Sequence, residues 1–136
     1  MSSAPRQLLC SNIVIVFSKQ LLDHFHAPRN AGPLPEATAT VEASNPVCGD
    51  ILHLAARMEN GRIAEVRFLC RGCATAIACA SLLTEKLKTR TPLEARAITS
   101  ESISQELGGL PPASLHGAQL AVDALSALLA QLPVKN

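Results

Sequence analysis

The feature that most constrains the fold is a hairpin signal, Asn60-Gly61, between two strand-like segments. Asparagine and glycine readily adopt the positive φ angles that two-residue hairpin turns require. The flanking segments, 51–58 and 62–70, are each predicted to form a strand, and every second residue of the latter from Val66 onward is apolar. With a further strand predicted at 38–44, the sequence favours a small antiparallel three-stranded sheet.

The hydrophobic period changes from that of strands to that of helices at Cys73. Apolar residues then recur at helical spacing, with Ala76, Ala80, Leu83 and Leu87 on one stripe. Strands followed by helices predict an α+β domain, a three-stranded antiparallel sheet with helices packed on one face. The remaining helices are predicted at 18–26 with Ser18 as N-cap, from a capping box at Thr91, at 100–107 and from about 116 to 132.

Length and composition predict one globular domain. A chain of 136 residues, 48% hydrophobic and 17% charged, is long enough to bury its own core. Residues 1–16 are interpreted as an N-terminal extension and 17–136 as the folded domain. No apolar run is expected to reach the length of a membrane span.

Composition also limits the possible partners and the compartment. The chain has three Phe, no Trp or Tyr and a net charge of +1, which argues against nucleic acid as the main partner. Five cysteines, an odd number in a chain large enough to fold unaided, disfavour a disulfide framework. We therefore expect reduced thiols and a cytoplasmic protein.

The first candidate metal-binding segment is Asn45-Pro46-Val47-Cys48-Gly49-Asp50, between two predicted strands. Proline fixes φ and glycine permits a left-handed turn, so this backbone can direct Cys48 and Asp50 toward a common centre. The alternative is an ordinary turn with a buried thiol.

The second candidate is Cys73, where the last strand meets the long helix. The exposed N–H groups and dipole of a helix N-terminus stabilise a thiolate, the form that binds metal or accepts sulfur. The alternative is a buried cysteine that caps the helix. His116, which opens the last helix, would be an ordinary surface or capping histidine if taken alone.

The other cysteines and histidines favour structural roles. Cys70 forms Cys-x-x-Cys with Cys73, but the strand alternation places it toward the core, with a substitute ligand as the alternative. A zinc site of four thiolates would need a second such pair, which the sequence lacks. Packing is the default for Cys79, and three histidines are expected at the surface: His24, His26 and His53.

Together these segments resemble the iron–sulfur cluster assembly scaffold family, the IscU/SufU type and the N-terminal part of NifU, over about residues 17–132. The Asn45 to Asp50 segment matches the family's first ligand motif, and Gly72-Cys73-Ala74 matches its second. Leu115-His116 and the segment 120–125 match the frame of its third. Gly117 stands where the family has its third ligand cysteine.

The resemblance implies a scaffold that receives sulfur from a cysteine desulfurase and passes a transient [2Fe–2S] cluster to apo iron–sulfur proteins. Such a protein binds iron and transfers its cargo, and is not a conventional enzyme. The implied metal- and cluster-binding residues are Cys48, Asp50, Cys73 and His116, a pocket that also holds zinc in some members. A possible Hsp70-type chaperone would bind at Leu110-Pro111-Pro112, which matches only part of the family's segment.

Two further functions stay open at the level of sequence. One is a zinc-dependent sulfurtransferase partner of a cysteine desulfurase, in which a cysteine accepts sulfur as a persulfide. Gly117 counts against this function, because Cys48 or Cys73 would have to replace the missing acceptor. The other is a degenerate family member that keeps the fold and a bound zinc and acts only as an interaction protein.

Overall fold

The computed structural model describes residues 17–46 and 49–133 of the chain. Within them, one short α-helix precedes the three strands and four α-helices follow, which is the predicted order; a short 3₁₀ helix, Pro112–Ser114, precedes the last of them. The predicted division between residues 16 and 17 stays a prediction, because residues 1–16 lie outside this range. The elements are α1 (Lys19–His26), β1 (Ala39–Asn45), β2 (Asp50–Glu59), β3 (Arg62–Arg71), α2 (Ala74–Leu87), α3 (Pro92–Ala95), α4 (Ser100–Glu106) and α5 (Leu115–Gln131).

The strands form an antiparallel sheet in the order β1-β2-β3. Asn60 and Gly61 have φ angles of 53° and 77°, as the predicted hairpin requires. The β2–β3 ladder ends with Ile51 opposite Arg71. The start of β2, the end of β3 and the end of β1 therefore lie at the same end of the sheet.

Helices α2 and α5 cover one face of this sheet, which confirms the predicted α+β arrangement. Helix α2 packs against β3 and α1, and α5 packs against β1, β2 and α2. The predicted apolar stripe accounts for only part of the buried surface of α2. Its buried residues run without a break from Ala78 to Thr84, since neighbouring elements enclose most of this helix.

The segment Pro112–Gln131 is long and apolar enough to cross a membrane by length and composition alone. This corrects the expectation that no such run exists. Its buried side chains, among them Leu120, Leu125 and Leu128, belong to the hydrophobic core of the domain. The apolar character of α5 is accounted for by its central position against the sheet and α2.

The prediction that His24 lies at the surface is also wrong, because this residue is only 8% exposed. Its Nδ1 lies 2.7 Å from the Ser81 hydroxyl oxygen, which also accepts a hydrogen bond from the Arg29 backbone N–H at 2.9 Å. These contacts join α1 to the middle of α2. The spacing to buried Leu21, three residues earlier on the same helix face, was the available signal.

The burial of His24 predicts a loss of stability in mild acid. Burial, with a smaller contribution from the Arg29 charge, lowers the pKa of His24 below its usual value, although Glu85 opposes the shift. The unfolded chain then binds the proton more readily, so stability is lost as the pH falls through the unfolded pKa of about 6.5 toward the folded one. Each unit of depression corresponds to about 1.4 kcal/mol.

Urea unfolding at pH 7.5 and 5.5 measures this effect. We expect the loss of unfolding free energy between the two pH values to be smaller in His24→Gln than in the unchanged protein. His26→Gln, on the exposed side of the same helix, is the matched control and is expected to behave like the unchanged chain. An equal pH dependence in all three proteins would contradict the assignment to His24.

Candidate metal centre

Three element ends bring a carboxylate, a thiol and an imidazole together. Asp50 begins β2, Cys73 is the N-cap of α2 and His116 lies in the first turn of α5. The Cys73 Sγ is 3.7 Å from Asp50 Oδ2 and 3.8 Å from His116 Nε2. The three potential ligand atoms all lie within 4.8 Å of one another.

These separations suit a single metal ion. In a tetrahedral site with a metal–sulfur distance near 2.3 Å and metal–nitrogen or –oxygen distances near 2.0–2.1 Å, a sulfur and its neighbouring ligand atoms lie about 3.5 Å apart. The two sulfur distances observed here are close to that value. The placement of the thiol relative to the carboxylate and to the imidazole therefore fits a shared metal ion.

The thiol of Cys73 is available for binding. Its side chain makes no capping hydrogen bond to α2, and the residue is exposed, whereas Asp50 is only 6% exposed. The alternative of a buried capping cysteine is therefore wrong. The backbone carbonyl of Cys73 accepts the N–H of Ile77 at 3.1 Å, so the helix begins without using the sulfur.

Two open grooves flank His116. The larger, about 420 Å³, lies between the N-terminal ends of α4 and α5, and the smaller, about 250 Å³, lies between the end of β1 and α5. The imidazole can therefore be approached from either side. His116 and Gln119 line both grooves. The larger groove is also lined by Ser100, Glu101, Ser104, Gln105 and Leu115. The smaller groove is also lined by Ser44, Asn45, Pro46, Leu120 and Asp123.

The predicted fourth ligand, Cys48, lies outside the described residues, together with Val47. The turn around them has the expected conformation at Gly49, whose φ is 76°. The Gly49 N–H donates to the Asn45 carbonyl at 2.7 Å. Participation of Cys48 in the site stays a prediction.

Cys70 lies on the core side of β3, half-buried. Burial, followed by the charges of Asp50 and Cys73, raises the pKa of Cys70 to about 11. Its thiol is therefore protonated at neutral pH, and among the described residues it does not join the three atoms that lie within 4.8 Å. The structure favours the core interpretation over a substitute ligand.

Cys79 and the remaining histidines have the expected places. Cys79 is fully buried, and burial raises its pKa to about 12. His53 Nε2 of β2 lies 3.3 Å from Glu42 Oε1 of β1, and both side chains are exposed. The ring of His26 lies 5.1 Å from that of Phe25. Neither histidine approaches the metal centre formed by the described residues.

Gly117 is buried where α5 crosses the first turn of α2. A Cβ atom at this position would lie 3.0 Å from Thr75 Cγ2 and 3.2 Å from the Ala76 backbone nitrogen. Position 117 therefore faces Thr75 and Ala76, two and three residues after Cys73. A side chain there would fit only if the two helices moved apart slightly.

Comparison with known sequences identifies the family of the chain. Residues 16–136 match the family model of the NifU-like N-terminal domain. The chain is 40% identical over 111 residues to the iron–sulfur cluster assembly scaffold protein IscU of Aquifex aeolicus, covering 80% of this chain and 71% of that protein. It is 37% identical over 126 residues to IscU of Haemophilus influenzae, covering 90% of this chain and 99% of that protein.

Solved structures share the fold. A SufU protein of the SUF system from Fervidobacterium islandicum AW-1 superposes with a TM-score of 0.71 at 20% identity, over 83% of this chain and 96% of that one. The N-terminal NifU-like protein of Brucella abortus gives a TM-score of 0.68 at 19% identity, over 84% and 92%. At these identities the likeness concerns the fold. Since the family model covers residues 16–136 and the IscU relatives exceed 30% identity, the chain belongs to the NifU-like N-terminal domain family.

Proposed function

We propose that this protein is an iron–sulfur cluster assembly scaffold that binds iron and carries a transient [2Fe–2S] cluster as cargo to apo-proteins. The observation that carries the proposal is the convergence of Asp50, Cys73 and His116 at one end of the sheet. The names of its relatives support the same role. Cys48, in the adjoining turn, is proposed as the second thiolate.

The chemistry of this donor set suits a cargo that must leave again. Thiolates are the usual ligands of iron–sulfur clusters, while imidazole and carboxylate also bind iron. Mixed ligation with two thiolates holds a cluster less firmly than ligation by cysteines alone. Because ligation needs deprotonated cysteine and neutral histidine, the affinity for the cluster is expected to fall as the pH falls.

The proposed partners are a cysteine desulfurase as sulfur donor and apo iron–sulfur proteins as recipients. The exposed thiol of Cys73 and the grooves beside His116 leave the site open to both. The free thiols of the described cysteines accord with the proposed cytoplasmic location.

The segment Leu110-Pro111-Pro112, proposed to contact an Hsp70-type chaperone, is only partly accessible. Pro112 is exposed and Pro111 is half-buried, whereas Leu110 is only 8% exposed and its N–H donates to the Ser104 hydroxyl at 2.9 Å. A chaperone that also contacts the Leu110 side chain would require local release of Leu110 from the core.

Anaerobic reconstitution tests the scaffold function. The protein is incubated with ferrous iron, cysteine, a cysteine desulfurase and dithiothreitol, the reductant that converts persulfide sulfur to sulfide, and then mixed with an apo-ferredoxin. We expect sulfur-to-iron charge-transfer bands in the visible spectrum, followed by their transfer to the ferredoxin.

Metal analysis and mass spectrometry of the same samples separate the alternatives. Stoichiometric zinc with no visible bands would contradict the scaffold function. Persulfide on a cysteine under those conditions would then favour the zinc-dependent sulfurtransferase, and its absence the interaction protein.

A further inference from the structure

Gly72 lies between the end of β3 and Cys73, next to the Asp50 carboxyl group. A Cβ atom at position 72 would stand 2.9 Å from Asp50 Cγ, 3.1 Å from its Oδ2 and 3.2 Å from its Cβ. Carbon atoms in favourable contact lie about 3.5–4.0 Å apart. The Asp50 side chain therefore occupies space that any residue other than glycine would fill.

We infer that Gly72 is a positioning residue of the metal centre, whose missing side chain leaves the space in which the Asp50 carboxylate lies close to the Cys73 thiol. The inference rests on the proposed function, since it assigns Gly72 a part in building that site. Gly72 itself offers no ligand atom and acts through Asp50.

The backbone conformation does not explain the glycine. The glycines that adopt positive φ in the described residues include Gly49 and Gly61, and Gly72 is not among them. An alanine could therefore adopt the same backbone at position 72 without strain. The closest steric conflict is with the Asp50 side chain, because the three nearest atoms to a Cβ at this position all belong to that residue.

Strand pairing explains why Gly72 and Asp50 are held next to each other. The β2–β3 register ends with Ile51 opposite Arg71, which leaves Asp50 and Gly72 one step beyond the ladder and facing each other. Asp50 is also paired with Asn45 of β1, so its backbone is held from the other side. We therefore expect an added methyl group to displace the carboxylate from its present place 3.7 Å from Cys73 Sγ.

A double-mutant cycle tests this inference on the metal-free protein. Gly72→Ala is made in the unchanged chain and in chains carrying Asp50→Gly or Asp50→Asn, and the urea midpoint of each is measured. We expect Gly72→Ala to lower the midpoint in the unchanged chain and in Asp50→Asn, which keeps the shape of the side chain. In Asp50→Gly, which removes all three close atoms, the alanine should cause no further loss.

The same variants are titrated with Co²⁺, whose visible spectrum reports the ligand set. We expect Gly72→Ala to weaken Co²⁺ binding about 10–100-fold, as is typical for residues that orient a ligand. It should have no additional effect in Asp50→Gly. If Gly72→Ala does not fold, the double variant with Asp50→Gly is expected to fold.

The outcomes distinguish a failure of the positioning role of Gly72 from a failure of the proposed metal site. An equal loss of midpoint from Gly72→Ala in the unchanged chain and in Asp50→Gly would overturn the positioning role, as would a double variant that does not fold. Weakened stability with unchanged Co²⁺ affinity in Gly72→Ala would also overturn it. Absence of Co²⁺ binding by the unchanged protein would instead contradict the proposed site, while the urea cycle still decides whether Gly72 accommodates Asp50.

Discussion

Replacing Cys73 with alanine is expected to abolish the visible bands of the reconstituted protein and to weaken Co²⁺ binding by more than about 100-fold. The Cys73 sulfur lies 3.7 Å from Asp50 Oδ2 and 3.8 Å from His116 Nε2. Without it, a carboxylate and an imidazole remain among the described ligands, and neither is a preferred ligand of an iron–sulfur cluster. We expect the same loss from Cys48→Ala.

Cys70→Ala is the matched control, because this cysteine lies three residues before Cys73 and is also close to Asp50. Its thiol has a raised pKa of about 11 and faces the core, so its loss should leave the bands and the Co²⁺ affinity intact. Absorption spectra and iron analysis after anaerobic reconstitution measure both variants. Bands that persist in Cys73→Ala, or disappear in Cys70→Ala, would require a different ligand set.

Gly117→Cys is expected to lengthen the lifetime of the bound cluster at least ~10-fold, which needs only about 1.4 kcal/mol of additional binding free energy. Position 117 faces the first turn of α2, the helix whose N-cap is Cys73, and we expect a thiol there to reach the cluster. The decay of the visible absorption in the presence of a chelator measures the lifetime.

The same substitution should destabilise the metal-free protein by about 1–3 kcal/mol, since an added Cβ must push against the backbone of α2. Gly117→Ala is the control, with the same steric cost but without the thiol. Adding Thr75→Ser removes the methyl group 3.0 Å away and is expected to recover part of the stability. Equal cluster lifetimes in Gly117→Ala and Gly117→Cys would mean that the thiol does not reach the cluster.

Local signals predicted much of the fold. The Asn60-Gly61 turn, the Ser18 cap and the Thr91 capping box all form as expected, because each depends on residues that are close along the chain. The burial of His24 was missed for the opposite reason. Its partner Ser81 is 57 positions away, and only the packing of α1 on α2 brings them together.

In the candidate site, too, some features could be predicted from local motifs and others depend on contacts between distant residues. Cys73 and His116 were recognisable from their motifs and from their places at helix starts, as was Asp50 from its turn. The role inferred for Gly72 had no signal of its own in the sequence, since a glycine beside a ligand usually indicates only a turn. The conflict between a Cβ at position 72 and the Asp50 carboxyl group became visible once strand pairing had placed the two residues opposite each other.

The sequence by itself determined the order of strands and helices, the α+β class and the residue types that could bind a metal. These follow from periodicity and from the chemistry of individual side chains. The tertiary structure alone decided that Asp50, Cys73 and His116 meet within 4.8 Å, and that Cys70 does not join them. Such distances depend on how a strand end and two helix starts pack against one another, and that packing is fixed by contacts between residues far apart along the chain.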